Sequence, residues 1–379
     1  MNKPRIKIAF FLPNLEGGGT ERNAVNLVNN LNGEKYAVSL VLGKAEGVFI
    51  NEISKDVPII NLNASYTLGF FLKLIRYFYK EKPDIFISAF PHINIVSIMA
   101  RDLSGAKAKV VITEQITVSI LKRTARNLSR RLVARFILPY LIRFIYPRAE
   151  AIICVSRGVA DDLSKIIHSS DKIGVIYNPI AISKIDKLAQ DSVDHPWFFD
   201  LKIPVILMVG RLNKTKDYLN LLKAFKLVIQ KRPARLTILG KGPEEKKIKL
   251  FAYKLGLSDN ILFLGFQENP YKYMKRASVF VLSSFHEGFG NVIVEAMACG
   301  TPVVSTDCMS GPGEIIENGE NGILVPVANY KALAEAVLRV LDNPFLARKL
   351  SEQGKKRAEY FSIERSVKKY EEIFDKLQE

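Results

Sequence analysis

The chain has 379 residues, too many for one ordinary hydrophobic core and enough for two domains of under about two hundred residues each. Its 48% hydrophobic and 25% charged residues exclude a disordered chain, and no apolar run approaches the length that spans a bilayer. The net charge of +17 at pH 7 is uneven: residues 1–178 carry 25 Lys and Arg against 14 Asp and Glu.

From Arg5 to Pro13 a basic start runs into an apolar core. It lacks a small-residue cleavage site, so it reads as a first strand and not as a signal peptide. Short Val/Ile/Leu-rich runs then predict strands at 5–12, 37–42, 84–90, 109–113, 151–155 and 173–177. A second set follows at 204–209, 235–239, 261–264, 278–282, 302–306 and 322–325. Helix-period stretches lie between them, at 20–31, 69–81, 157–167, 217–231, 243–255, 291–299 and 330–341. Buried parallel strands separated by helices predict an α/β chain with two doubly wound, Rossmann-like sheets. The expected organisation is a domain at 1–178, a linker at 179–203 holding Trp197, a domain at 204–357 and a last amphipathic helix at 358–379. That helix carries Phe361, Val367, Tyr370, Ile373 and Phe374 on one stripe. Ligands are expected at the carboxyl ends of both sheets.

The first strand ends in Asn14-Leu15-Glu16-Gly17-Gly18-Gly19-Thr20-Glu21-Arg22. Thr20 can cap the following helix, and Gly17 and Gly18 allow close approach of a phosphate or an acceptor. His92, Glu114 and Gln115 close the strands 84–90 and 109–113, where they are candidates for contact with an acceptor. In the second half, strand 204–209 ends in Gly210-Arg211-Leu212-Asn213-Lys214-Thr215-Lys216, which brings Arg211 and Lys216 to a site where a diphosphate would lie. The turn Gly240-Lys241-Gly242-Pro243 follows the next strand. Further on, Glu287 and Glu295 stand eight residues apart around Gly288, Phe289, Gly290, Asn291 and Val292. Asn291 is the expected N-cap of a helix that Gly300 stops. The bare glycine backbone can face an anion at the positive helix end, with one carboxylate on either side.

The run from Glu287 to Glu295 resembles the Glu-x7-Glu signature of retaining GT-B glycosyltransferases, in particular family 4. The Gly210-Arg211-Leu212…Lys216 run and the Gly240-x-Gly242-Pro243 turn are similar to motifs of the same family. The resemblance implies two Rossmann-like domains facing across a cleft, with the C-terminal helix crossing back to the N-terminal domain. It implies an acceptor-binding first domain and a nucleotide-sugar-binding second domain. By the same resemblance Glu287 contacts the donor sugar, Glu295 the ribose, and Arg211 and Lys216 neutralise the leaving diphosphate. Gly17, Gly18, Gly210, Gly242 and residues 288–292 would line the donor. Gln115 stands where many relatives have a histidine, and it cannot act as a general base. The expected activity is transfer of a sugar, UDP-linked by preference, to a hydroxyl of a glycan or polyprenyl-diphosphate-linked glycan. Another sugar-nucleotide enzyme, an epimerase or hydrolase, is the alternative.

No Asp-x-Asp occurs in the chain, and the histidines show no ligand spacing, so neither a metal nor another cofactor is expected. Cys154, Cys299 and Cys308 cannot all pair, which fits a reducing cytoplasm. The segment 121–148 has eight cations, Lys122, Arg123, Arg126, Arg130, Arg131, Arg135, Arg143 and Arg148, and no acid. Mixed with apolar residues, it reads as a helix on an anionic membrane surface, placing the protein on the cytoplasmic face. Four engaged cations would supply roughly 4 kcal/mol, about a thousandfold in partition. A solvated helix face, or a groove for an acceptor's diphosphate, is the other reading. Nucleic acid is disfavoured because aromatics for stacking are few.

Overall fold

The computed structural model describes residues 4–124, 132–167, 171–199 and 202–379. The chain divides into two units, Met1–Pro179 with Ile363–Glu379, and Ile180–Ser362. The first holds β1 (Ile6–Leu12), β2 (Tyr36–Leu42), β3 (Ile59–Asn61), β4 (Ile85–Ala89), β5 (Lys109–Glu114), β6 (Ala151–Cys154) and β7 (Ile173–Val175). They form one parallel sheet in the order β3-β2-β1-β4-β5-β6-β7. The second holds β8 (Val205–Val209), β9 (Arg235–Leu239), β10 (Ile261–Gly265), β11 (Val279–Leu282), β12 (Val303–Thr306) and β13 (Ile323–Val325). Its order is β10-β9-β8-β11-β12-β13, again all parallel.

Helices cover both faces of each sheet, so central strands such as β4 and β11 are buried along their whole length. That burial is why they read as unbroken apolar runs. In each sheet the chain reverses direction of travel beside its first strand, at β1/β4 and at β8/β11. The carboxyl ends flanking such a reversal open a crevice where α/β proteins bind ligands.

Three expectations need correction. The first sheet has seven strands, because the edge strand β3 is only three residues, partly exposed and paired on one side. So short an edge leaves no apolar run to see. From Ile180 on, the expected linker 179–203 belongs to the second unit. Its helix Ile182–Leu188 packs against helices Asn291–Ala298 and Tyr271–Met274, and Ile185, Val193 and Phe198 are buried. Widely spaced apolar anchors among Asp, Lys and Ser hide that packing in the sequence.

The last helix also starts five residues later than the expected 358. Helix Pro344–Ala358 is followed by a 3-10 turn, Glu359–Phe361, and then by helix Ile363–Lys376. The Asn343 side chain accepts from the Leu346 N–H at 3.0 Å, and Pro344 starts the helix with the φ it requires. Gly354 lets this helix lie close on Met297 of helix Asn291–Ala298. The last helix is part of the first unit. It buries Val367, Tyr370 and Phe374, with Ile373 half-buried. Tyr36 Oη donates to Asp375 Oδ1 at 2.9 Å, and Ser366 Oγ donates to the Tyr177 carbonyl at 2.9 Å. Among the described residues no helix is long and apolar enough to cross a membrane.

Candidate active site

The two turns at the β8/β11 reversal are stitched together. After β8, Asn213 caps a 3-10 turn, Lys214–Lys216, by accepting from the Lys216 N–H at 3.3 Å. After β11, Ser283 Oγ donates to the carbonyls of Lys216 (2.8 Å) and Asp217 (3.2 Å). The Phe285 N–H reaches Thr215 O at 3.0 Å. Because neighbouring strands deliver these turns side by side, Lys216 Nζ meets Glu287 Oε1 at 2.6 Å, although 71 residues separate them. Ser284 Oγ donates to the same carboxylate oxygen at 2.5 Å. Both charged side chains are mostly buried, at 14% and 11% exposure. Arg211 is different: its side chain is exposed and has no hydrogen bond or ion pair among the described residues.

A third turn supports Glu287 from behind. Ser310 Oγ donates to the Glu287 carbonyl, and a Cβ on Gly311 (φ +90°) would collide with the Phe289 carbonyl. Burial and the Glu287 charge push the Cys308 thiol up to about 12. Gly290, and not Asn291, is the N-cap of helix Asn291–Ala298; its φ of +101° needs a glycine, and Asn291 becomes the first helical residue. At the other end Gly300 (φ +77°) stops the helix as expected. Its N–H reaches Met297 O at 2.9 Å and the Thr301 N–H reaches Ala296 O at 3.0 Å, a Schellman closure. Val292 and Glu295 are half-buried on this helix, and Gly288 and Phe289 are buried just before it. The glycines 210, 240 and 242 answer a packing need. A Cβ on Gly240 would strike the Gly210 carbonyl, and one on Gly242 the Leu212 backbone. Gly242 therefore holds the turns after β8 and β9 in close contact.

In the first unit Gly17 takes φ +105°, and Gly18, not Thr20, is the N-cap of helix Gly19–Val28. The Glu21 carboxylate folds over Gly18, so an incoming phosphate would have to displace the chain's own acid. Arg22 pairs with both carboxylate oxygens of Glu52, at 2.5 and 2.9 Å. At the β4 end Phe90 holds φ +77°, a conformation that costs about 1–3 kcal/mol outside glycine. It leads into Pro91 and leaves His92 exposed in the first turn of helix Pro91–Ser104.

Glu114 and Gln115 are adjacent in sequence and part ways in space, because successive side chains leave a strand on opposite faces. Gln115 Oε1 accepts from Asn23 Nδ2 at 3.3 Å beside a small cavity that Thr20, Asn178 and Tyr370 also line. That cavity, about 30 Å³, has room for one water and no sugar as it stands. Glu114 is fully buried on the other face. Its Oε1 accepts from Asn94 Nδ2 at 2.9 Å and from Tyr146 Oη, while Oε2 has no partner among the described residues. The expectation that Glu114 meets an acceptor does not fit this burial. Burial raises its pKa to about 7.

Residues 191–357 match the family model for glycosyl transferases group 1, and residues 17–184 match that for glycosyltransferase family 4. An N-acetylgalactosaminyltransferase of Campylobacter jejuni, named for an N-acetylgalactosamine-N,N'-diacetylbacillosaminyl-diphospho-undecaprenol acceptor, is 31% identical over 96% of this chain and 99% of its own. The chain belongs to these glycosyltransferases. An N-acetyl-alpha-D-glucosaminyl L-malate synthase of Bacillus anthracis is 24% identical over 86% of the chain and 84% of its own length. Among solved structures, Anabaena HepE in complex with UDP-glucose has a TM-score of 0.81 at 20% identity, covering 99% of this chain and all of its own. The two parallel sheets are thus those of the expected GT-B fold.

The residues that hold this glycosyltransferase's Glu287 in place, Ser284 and Ser310, and the turn-capping Asn213 were not singled out by the sequence. Asn213 had a signal, a capping residue three positions before Lys216. The serines had none, since their role depends on which turns meet. One consequence of the buried network can be measured. A glutamate whose folded pKa lies near 7 favours the native state fully only below its ordinary pKa of 4.5, and that contribution is lost as pH rises through 7. Glu114→Gln, neutral at every pH, should therefore gain on the wild type between pH 5 and pH 8, by about 3 kcal/mol. Thermal unfolding of both proteins across that range tests this; parallel pH profiles would mean that Glu114 is ionised throughout.

Proposed function

We propose that this glycosyltransferase is a retaining, metal-independent enzyme. It moves a sugar from UDP to a hydroxyl of a glycan carried on a polyprenyl diphosphate at the cytoplasmic membrane face. The observation that carries the reading is the contact of Lys216 with Glu287 at the β8/β11 reversal, next to the turn that opens helix Asn291–Ala298. A cation and an acid there match a ligand with phosphates on one side and hydroxyls on the other. The C. jejuni relative, by its name, extends a diphospho-undecaprenol-linked glycan, and HepE was solved with UDP-glucose. Both support polysaccharide or lipid-linked glycan synthesis with a UDP-sugar.

In this reading Lys216 and Arg211 neutralise the diphosphate as the anomeric C–O bond breaks. Glu287 exchanges part of its contact with Lys216 for sugar hydroxyls, and Glu295 takes the ribose. The acceptor oxygen bonds to the anomeric carbon on the face the diphosphate leaves, and its proton passes to a diphosphate oxygen. The protein positions the reactants and stabilises charge. No side-chain base is required, which suits Gln115 and the buried Glu114.

Glu295→Ala should weaken UDP binding and reduce transfer by orders of magnitude in protein that remains folded; near-normal turnover would remove Glu295 from the site. Donor and product anomers compared by NMR test retention, and an inverted product refutes it. Transfer should persist in excess EDTA, as the two cations supply the needed charge. Sugar release or epimerisation without any acceptor would favour the hydrolase or epimerase alternative.

A further inference from the structure

The basic segment 121–148 is only partly described, since residues 125–131 lie outside the described residues. Beyond them a π-helical turn, Val133–Ile137, runs into helix Leu138–Ile145. Ile142 and Ile145 are buried, whereas Leu132, Phe136, Tyr140 and Phe144 recur every four residues and point outward, Phe136 and Tyr140 at 61% and 64% exposure. Arg135 and Arg143 sit over the neighbouring rings of Phe136 and Phe144, at 5.5 and 6.0 Å from their centroids.

A second helix has the same build without having drawn attention by its charge. Helix Thr67–Glu81 buries Phe70, Leu74, Tyr77 and Phe78. Its other side exposes Leu68, Leu72 and Tyr79, a helical stripe preceded by the exposed Tyr66; Leu72 is 62% and Tyr79 73% exposed. Lys73, Arg76 and Lys80 accompany that stripe, all exposed. The only acid on either helix is Glu81, which lies 3.3 Å from Lys80. Both helices pack against helix Pro91–Ser104, which runs between them, so they flank it on one face of the first sheet.

We infer that the first unit docks on an anionic lipid bilayer through both helices, Thr67–Glu81 and the 132–145 segment, one on each side of helix Pro91–Ser104. Aromatic and aliphatic side chains enter the headgroup layer while Lys and Arg stay at lipid phosphates. Charge selects this occupant. A second copy of the chain, set face to face, would press cation against cation with only Glu81, already beside Lys80, to answer it. A lipid surface rich in phosphates answers both helices at once. Two anchors also fix orientation, which one helix free to roll would not. The inference rests on the reading of a membrane-borne acceptor and extends its contact surface to a helix outside the basic segment.

The test uses the full chain and vesicles of phosphatidylcholine, with or without phosphatidylglycerol. The wild type should bind only the mixed vesicles. Leu72→Glu with Tyr79→Glu should lower that partition about tenfold or more, although residues 121–148 are untouched. Lys73→Gln with Arg76→Gln and Lys80→Gln, which leaves the apolar stripe intact, should weaken binding and flatten its salt dependence. Neither set touches the donor turns, so the thermal shift on UDP and transfer to a water-soluble acceptor should match the wild type. Undiminished vesicle binding by both variants overturns the inference. So does binding that ignores phosphatidylglycerol, or a change in molar mass by light scattering with no vesicle binding, which would assign the face to self-association. Vesicle binding as expected with no thermal shift on UDP would instead count against the donor reading alone.

Discussion

Lys216→Ala should cut sugar transfer by about 10²–10³-fold, the usual cost of removing one group that stabilises developing charge. It should also destabilise the second unit. Lys216 and Glu287 are only 14% and 11% exposed, and Lys216 is the cation 2.6 Å from that carboxylate. Removing one partner of a buried pair leaves the other charge poorly solvated, at a cost of roughly 3–5 kcal/mol; the remaining exposure points to the lower end. Arg211→Ala should be equally damaging to transfer and harmless to stability, because its exposed side chain holds nothing in place in the ligand-free protein. The double variant Lys216→Met with Glu287→Gln should recover most of the stability and none of the transfer. Thermal unfolding beside steady-state rates distinguishes the three. Full activity in Lys216→Ala would show that the pair is a structural brace outside the donor site.

Gly311→Ala should abolish most activity through geometry alone. Gly311 has φ +90°, and its missing Cβ is where the Phe289 carbonyl oxygen lies. A methyl group there must push the turn carrying Glu287 and Gly288 away from Lys216, and a displacement of about 1 Å can cost about 10²-fold in rate. Gly319 offers the control. It has φ +81° with nothing within 4 Å of the place a Cβ would take, so Gly319→Ala introduces the backbone strain without the collision. Gly319→Ala should lose about 1–3 kcal/mol of stability at most and keep its transfer rate. Equal rate losses in the two variants would trace the effect to general destabilisation and not to the Glu287 turn.

Much of the candidate site was legible because its signals are local. Glu287, the bare glycines, a helix and its Gly300 stop follow one another within fourteen residues, and each is set by neighbours in the chain. The helix cap falls one position before the expected Asn291, since a left-handed Gly290 and a capping Asn291 carry the same sequence signal. Helix Pro344–Ala358 leaves little signal beyond its Asn343-Pro344 opening, because its buried Leu346 and Leu350 are set among charged residues. The first unit was less readable. His92, Glu114 and Gln115 all close strands, yet one is exposed, one sealed inside and one beside a cavity.

By itself the sequence determined the two parallel sheets, since apolar runs between helices satisfy their backbone and bury their side chains in only one kind of architecture. It also determined which residue types stand at the strand ends. Only the tertiary structure decided that Lys216 faces Glu287, that Glu21 occupies its own helix end, and that helix Thr67–Glu81 turns a second apolar stripe to solvent. The physical reason is range. Periodicity and capping act over a few residues, whereas the meeting of side chains depends on which strands lie side by side and on which face of a strand or helix is already covered.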